Sequence, residues 1–148
     1  MEIKKLGVLG CGQMGSGIVQ VFAQAGYEVV AVDTAPAMIE KGLKGIEKRL
    51  MGRVDKGKMT LDEKNAIMGR IKTSNKLEDL ADCDLIEEAI PEDLELKKKT
   101  FAELDRICKP ETIFGSNTSG LSVTDMAVAT KRQERVMGMH FHNPAPVM

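Results

Sequence analysis

Residues 4–33 read KKLGVLGCGQMGSGIVQVFAQAGYEVVAVD, and three patterns succeed one another along them. Lys4–Leu9 is a short apolar run ending at a glycine, the pattern of a buried strand. Gln13–Ala25 reads as a helix, closed by Gly26 as a C-cap. Glu28–Val32 is β-branched and apolar, a second buried strand. The turn between the first strand and the helix is Gly10-Cys11-Gly12-Gln13-Met14-Gly15, a G-x-G-x-x-G motif. Alone that string is weak, and a glycine-rich turn without a ligand is its plainer reading. Placed between a strand and a helix, with Asp33 ending the second strand 18 residues after Gly15, it predicts a dinucleotide site. Gly10 permits the tight turn. Gly12 lets backbone N–H groups approach a pyrophosphate at the positive helix N-terminus, where Gln13 and Met14 begin the helix. Gly15 allows close helix–strand packing. Asp33 is expected to accept hydrogen bonds from the adenosine ribose and to repel a 2′-phosphate, which favours NAD over NADP. Cys11 reads as a small loop-filling residue rather than a redox group.

The alternation continues outward. Asp33 or Thr34 is expected to cap a helix with Pro36 in its first turn, running to about Arg53. Lys56-Gly57-Lys58 is a turn, and Thr60-Leu61-Asp62-Glu63 is a capping box opening a helix to about Met68. Further strands are expected at Ile71–Ser74, Asp84–Ile90, Thr112–Gly115 and Arg135–Phe141. Further helices are expected at Leu94–Cys108 and from Ser122. This order predicts an α/β fold: a Rossmann-type, doubly wound, mainly parallel sheet with a helical hairpin inserted after the second strand.

The chain has 148 residues, 43% apolar and 29% charged, with a net charge of −1, which fits one ordinary domain. No apolar run is long enough to cross a membrane, and the N-terminus lacks a signal-peptide pattern. Cys11, Cys83 and Cys108 form no C-x-x-C pair, so neither a disulfide framework nor a zinc signature is expected. A cytoplasmic location follows as the expectation. The charge is segregated. Residues 41–76 carry eleven Lys/Arg against four Asp/Glu, whereas residues 77–96 carry nine Asp/Glu and no Lys/Arg. A solvated helical face is the plain account of the basic segment. Only four Phe and one Tyr are available for stacking on bases, so a phosphorylated small molecule suits it better than nucleic acid.

Two more groups carry candidate chemistry. Ser116-Asn117-Thr118-Ser119 follows a strand, where open α/β sheets bind ligands, although an ordinary turn explains it as well. His140 ends the last strand on the same sheet edge and titrates near neutrality, as a general acid/base must. His142 has no such support and is expected to face away from His140.

Gly10–Gly17, residues 84–122 (DLIEEAIPEDLELKKKTFAELDRICKPETIFGSNTSGLS) and residues 138–148 (GMHFHNPAPVM) resemble the short-chain L-3-hydroxyacyl-CoA dehydrogenases, in particular bacterial 3-hydroxybutyryl-CoA dehydrogenases. The resemblance runs over essentially the whole chain. It implies reversible hydride transfer between NAD(H) and the C3 carbon of a 3-hydroxyacyl-CoA. It assigns His140 as the acid/base on the C3 oxygen and Ser119 as its hydrogen-bonding partner near the nicotinamide. Asn117 and Asn143 then line that end of the cofactor site, and Glu92 and Lys97 are cofactor-contacting positions, where spacing alone reads both as exposed helix charges. Arg49 and Lys56 on the basic hairpin fall where the family contacts CoA. Gly120, His142, Glu88 and Pro91 depart from residues common in the family.

The family also has a glutamate that orients the histidine and a helical C-terminal domain that makes the dimer. No acidic residue follows Glu134 here, and only eight residues follow His140. These 148 residues are therefore expected to be the NAD-binding domain, able to bind NAD but catalytically impaired alone, from a parent that forms a homodimer or larger assembly. Two rivals stand beside this reading: a dehydrogenase of another hydroxy acid, and a non-catalytic NAD-binding module.

Overall fold

The computed structural model describes residues 1–148. Six strands run β1 (Lys5–Leu9), β2 (Glu28–Val32), β3 (Ile71–Ser74), β4 (Leu85–Glu88), β5 (Ile113–Ser116) and β6 (Val136–Gly138). They form one sheet in the order β3-β2-β1-β4-β5-β6, and every neighbouring pair is parallel. The helices are α1 (Gln13–Gln24), α2 (Pro36–Asp55), α3 (Leu61–Gly69), α4 (Leu94–Ile107) and α5 (Val123–Ala127).

Both faces of the sheet are covered, so β1 and β2 are apolar on both sides. Alternate residues of one strand feed different cores. Val29 and Ala31 join Leu6, Val8, Ile18, Ile46 and Leu50 on the side of α1, α2 and α3. Val30 and Val32 join Leu9, Ile86, Phe101, Leu104 and Phe114 on the side of α4 and α5. That is why EVVAV reads as an unbroken hydrophobic run.

Helix boundaries follow their caps. Gly26, with φ of +97°, closes α1: Tyr27 N–H donates to Phe22 C=O and Gly26 N–H to Ala23 C=O, the Schellman pattern. The Thr60/Glu63 capping box opens α3 as expected, with both reciprocal bonds formed. The start of α2 corrects the expectation. Its N-cap is Ala35, with Pro36 in the first turn, and neither Asp33 nor Thr34 caps it. The Asp33 carboxylate is used elsewhere, as described below.

Two strands are shorter than expected. β4 stops at Glu88, whose carboxylate accepts the Ile90 N–H at 2.9 Å and turns the chain out of the sheet. β6 spans only Val136–Gly138, so His140 lies in the segment beyond the strand. No helix is long and apolar enough to cross a membrane.

Candidate active site

β1 and β4 are neighbours whose onward connections leave toward opposite edges of the sheet. A crevice therefore opens beyond their carboxyl ends, the place where open α/β sheets bind ligands. A cleft of about 810 Å³ occupies it. Gly10, Gly12, Met14, Asp33, Glu92, Lys97, Asn117, Ser119, His140 and Asn143 all line this cleft. Gln13 and Gly15 belong to the same loop and helix but do not form its wall. Arg49 and Lys56 lie outside it, exposed on and just after α2. The Arg49 Nε donates to Gln20 Oε1 at 2.7 Å, tying α2 to α1.

The three glycines of the loop differ in what the fold asks of them. Gly10 has φ of +104°. A Cβ on Gly15 would lie 1.7 Å from the Gly10 carbonyl oxygen, so α1 can sit this close only with glycine there. Gly12 differs: a Cβ there would meet only Met38 Cε, at 3.7 Å, and would otherwise project into open space. The fold therefore does not demand glycine here, and the bare backbone leaves room for a ligand. The first turn of α1 has no side-chain cap and no acidic residue. Its N–H groups and the positive end of its dipole are thus left for an anion. The loop is held from below by Asp33, whose carboxylate accepts the N–H groups of Cys11 at 2.8 Å and Ala35 at 2.9 Å. Burial and the nearby Asp33 charge push the Cys11 thiol up to about 12, consistent with an inert filling residue.

A buried ion cluster fixes the opposite wall. Lys97 on α4 is only 1% exposed. Its ammonium donates to both oxygens of Glu88, at 3.0 and 2.9 Å, and pairs with Glu92 Oε1 at 2.7 Å. Glu88 also accepts the Ser116 hydroxyl, and the Thr118 hydroxyl donates to Glu92 Oε2 at 2.7 Å. Burial works against ionisation of Glu92, but the Lys97 ion pair and the Thr118 hydrogen bond hold its carboxyl below the usual range. One ammonium thus links β4, α4 and the turn bearing Asn117 and Ser119. Ser116 and Thr118 belong to the polar turn that the sequence offers as a candidate, but their bonds to Glu88 and Glu92, and Glu88 itself as a site residue, were not foreseen. No local spacing marks them, because Lys97 meets its partner only once the chain has crossed from β4 to α4.

The segment after β6 brings the histidine to this wall. The Phe141 N–H donates to Asn117 Oδ1 at 2.7 Å, and the Phe141 ring packs edge-on against Phe22 with centroids 5.8 Å apart. Phe141 faces the core, so its two neighbours face outward. His140 and His142 both line the cleft, with ring centroids 4.8 Å apart. The expectation that His142 faces away is corrected. Residues two apart on an extended chain share a side, and the residue between them takes the other.

The model for the 3-hydroxyacyl-CoA dehydrogenase NAD binding domain matches residues 5–148. The chain belongs to this family. It is 48% identical over its full length to a probable 3-hydroxybutyryl-CoA dehydrogenase of Bacillus subtilis, covering 52% of that protein. Among solved structures it is similar to a 3-hydroxybutyryl-CoA dehydrogenase from Escherichia coli (TM-score 0.98, 39% identity), covering all of this chain and 31% of that one. It is also similar to an (S)-3-hydroxybutyryl-CoA dehydrogenase from Ralstonia eutropha (TM-score 0.95, 39% identity), covering 99% of this chain and 52% of that one. The chain spans about half the length of the first curated relatives it matches.

Proposed function

We propose that these residues bind NAD(H) in the cleft and supply the general acid/base of a 3-hydroxyacyl-CoA dehydrogenase, with 3-hydroxybutyryl-CoA and acetoacetyl-CoA as the reacting pair. The observation that carries this reading is the convergence of the bare Gly12, the uncapped α1 N-terminus, Asp33, Ser119 and His140 on one cleft. The volume suits a ligand of this kind. The bound cofactor supplies or accepts the hydride.

The chain's own residues do the remaining work. The N–H groups of the first turn of α1 receive the pyrophosphate, and Gly12 gives it room. Asp33 accepts from the adenosine ribose while its other contacts hold the loop. Asn117 and Asn143 bound the nicotinamide end. Glu92 presents a carboxylate to the cofactor, and Lys97, spent on Glu88 and Glu92, sets where that carboxylate stands. Ser119 donates to the C3 oxygen of the substrate. His140 takes the C3 hydroxyl proton during oxidation and returns it during reduction. Lys48, Arg53, Lys56 and Lys58 make no ion pair, so the basic hairpin keeps charge for the phosphates of CoA, with Arg49 beside them. A cytoplasmic location and a homodimer are part of the same proposal, carried over from the resemblance to bacterial 3-hydroxybutyryl-CoA dehydrogenases.

The test is acetoacetyl-CoA-dependent oxidation of NADH by the protein as the cell makes it. Substituting His140→Ala is expected to lower kcat by about 10²–10⁴-fold while the KM for NADH stays close to its original value. An unchanged kcat overturns the assignment.

A further inference from the structure

The cleft contains an imidazole that the hydride-transfer reading does not use. His142 stands beside His140, with centroids 4.8 Å apart and ring planes inclined by 53°. Both are exposed, so an ion reaches them from solvent. Their spacing is held by Phe141 between them, which is anchored by its N–H on Asn117 and its ring on Phe22.

We propose that His140 and His142 form a bis-imidazole site for a divalent transition-metal ion of the zinc, nickel or copper type, which occupies the acid/base nitrogen of His140 when bound. The spacing meets the first requirement of a shared ion. With a metal–nitrogen distance of about 2.1 Å and roughly 1.1 Å from nitrogen to ring centre, each centroid stands about 3.2 Å from the ion. Centroids 4.8 Å apart then subtend roughly 97° at the metal, between the octahedral and tetrahedral angles.

The electrostatics agree. An ionic cluster on the same cleft sets two carboxylates, Glu88 and Glu92, against the single ammonium of Lys97, and Glu92 lines that cleft together with both histidines. No third His, Cys, Asp or Glu completes the site. Water therefore fills the other positions, and binding is exchangeable. Imidazole selects zinc, nickel and copper over magnesium and calcium, which require oxygen ligands. A metal on the His140 lone pair leaves no site for the substrate's C3 hydroxyl proton. Binding of the ion does not depend on the proposed dehydrogenase function; only this catalytic consequence does.

Calorimetric titration of zinc chloride and nickel chloride into the 148-residue chain tests the site. One ion per chain is expected, with magnesium giving no heat of binding. His142→Phe and His140→Ala are each expected to weaken zinc binding by at least about tenfold, with unchanged far-UV circular dichroism. Absence of zinc binding, or binding that neither substitution weakens, overturns the proposal. The chain contains only these two histidines, so NMR gives a readout free of any folding defect in the variants. Both imidazoles of the unsubstituted chain must shift together on addition of one zinc equivalent, and a shift of one alone, or of neither, overturns the shared site.

Discussion

Glu87 and Glu88 are adjacent on β4 and meet opposite environments, because a strand sends neighbours to opposite faces. Glu88 faces α4 and is fully partnered there. Glu87 faces the α1 layer, fully buried, and neither of its carboxylate oxygens has a hydrogen-bond partner. Gly115 makes room for it, since a Cβ there would lie 2.1 Å from Glu87 Oε2. Burial, reinforced by the Glu88 charge and opposed by Lys97, pushes the Glu87 carboxyl up to about 9. It is therefore protonated at neutral pH. The unfolded chain releases this proton near 4.5, whereas the folded chain holds it until about 9. This group's stabilising contribution is thus complete below pH 4.5 and falls through the interval up to pH 9, with a limiting slope of about 1.4 kcal/mol per pH unit. Glu87→Met keeps the unbranched shape and removes both the ionisation and the orphaned oxygens. It is expected to raise stability by about 1–3 kcal/mol near neutral pH, and by less at pH 5. Urea unfolding at the two pH values checks this, and a variant no more stable than the original near neutral pH contradicts it.

At the scale of elements, the strand–loop–helix unit separates residues that build the fold from residues that leave space for a ligand. Gly15→Ala places a methyl against the Gly10 carbonyl and is expected to lower the melting temperature by many degrees. Gly12→Ala meets only Met38, so the fold is expected to persist while NADH affinity drops by at least about tenfold. Thermal melting and cofactor titration of the two variants separate these outcomes. Another junction depends on Arg132. Its guanidinium pairs with Asp105 and donates to the carbonyls of Asp105, Cys108, Lys109 and Thr112, with its Cζ 4.8 Å from the Phe114 ring centre. It joins the end of α4, the start of β5 and the approach to β6. Arg132→Ala leaves Asp105, whose side chain is only 11% exposed, without its cation and is expected to cost about 3 kcal/mol. Lysine is expected to restore little, because it lacks the planar fork of donors. The same scale shows what the sequence discloses. The α1 and α3 ends were legible because Gly26, Thr60 and Glu63 act locally. The end of β6 was not, because nothing within RVMGMHF marks a stop and pairing alone decides that only three residues join the sheet. That shorter strand carries His140 into a loop. The burial of Lys97 was equally hidden, since a lysine triplet at residues 97–99 looks solvated until Glu88 is brought against it.

At the scale of the molecule, the parallel sheet and the reversal of strand order at β1 and β4 followed from the alternation of apolar strands and helices. The position of the cleft followed with them. Arg49 and Lys56 stand outside the cleft, so the proposed role of the basic hairpin requires a long thioester whose distal, phosphorylated end would reach them. We propose that residues 1–148 bind the cofactor by themselves. Titration of NADH and NADPH into the 148-residue chain tests the central claim most directly. Saturable binding of one NADH per chain, tighter than NADPH and weakened by Gly12→Ala, is the result this account requires. No saturable binding, or equal affinity for NADPH, would contradict it.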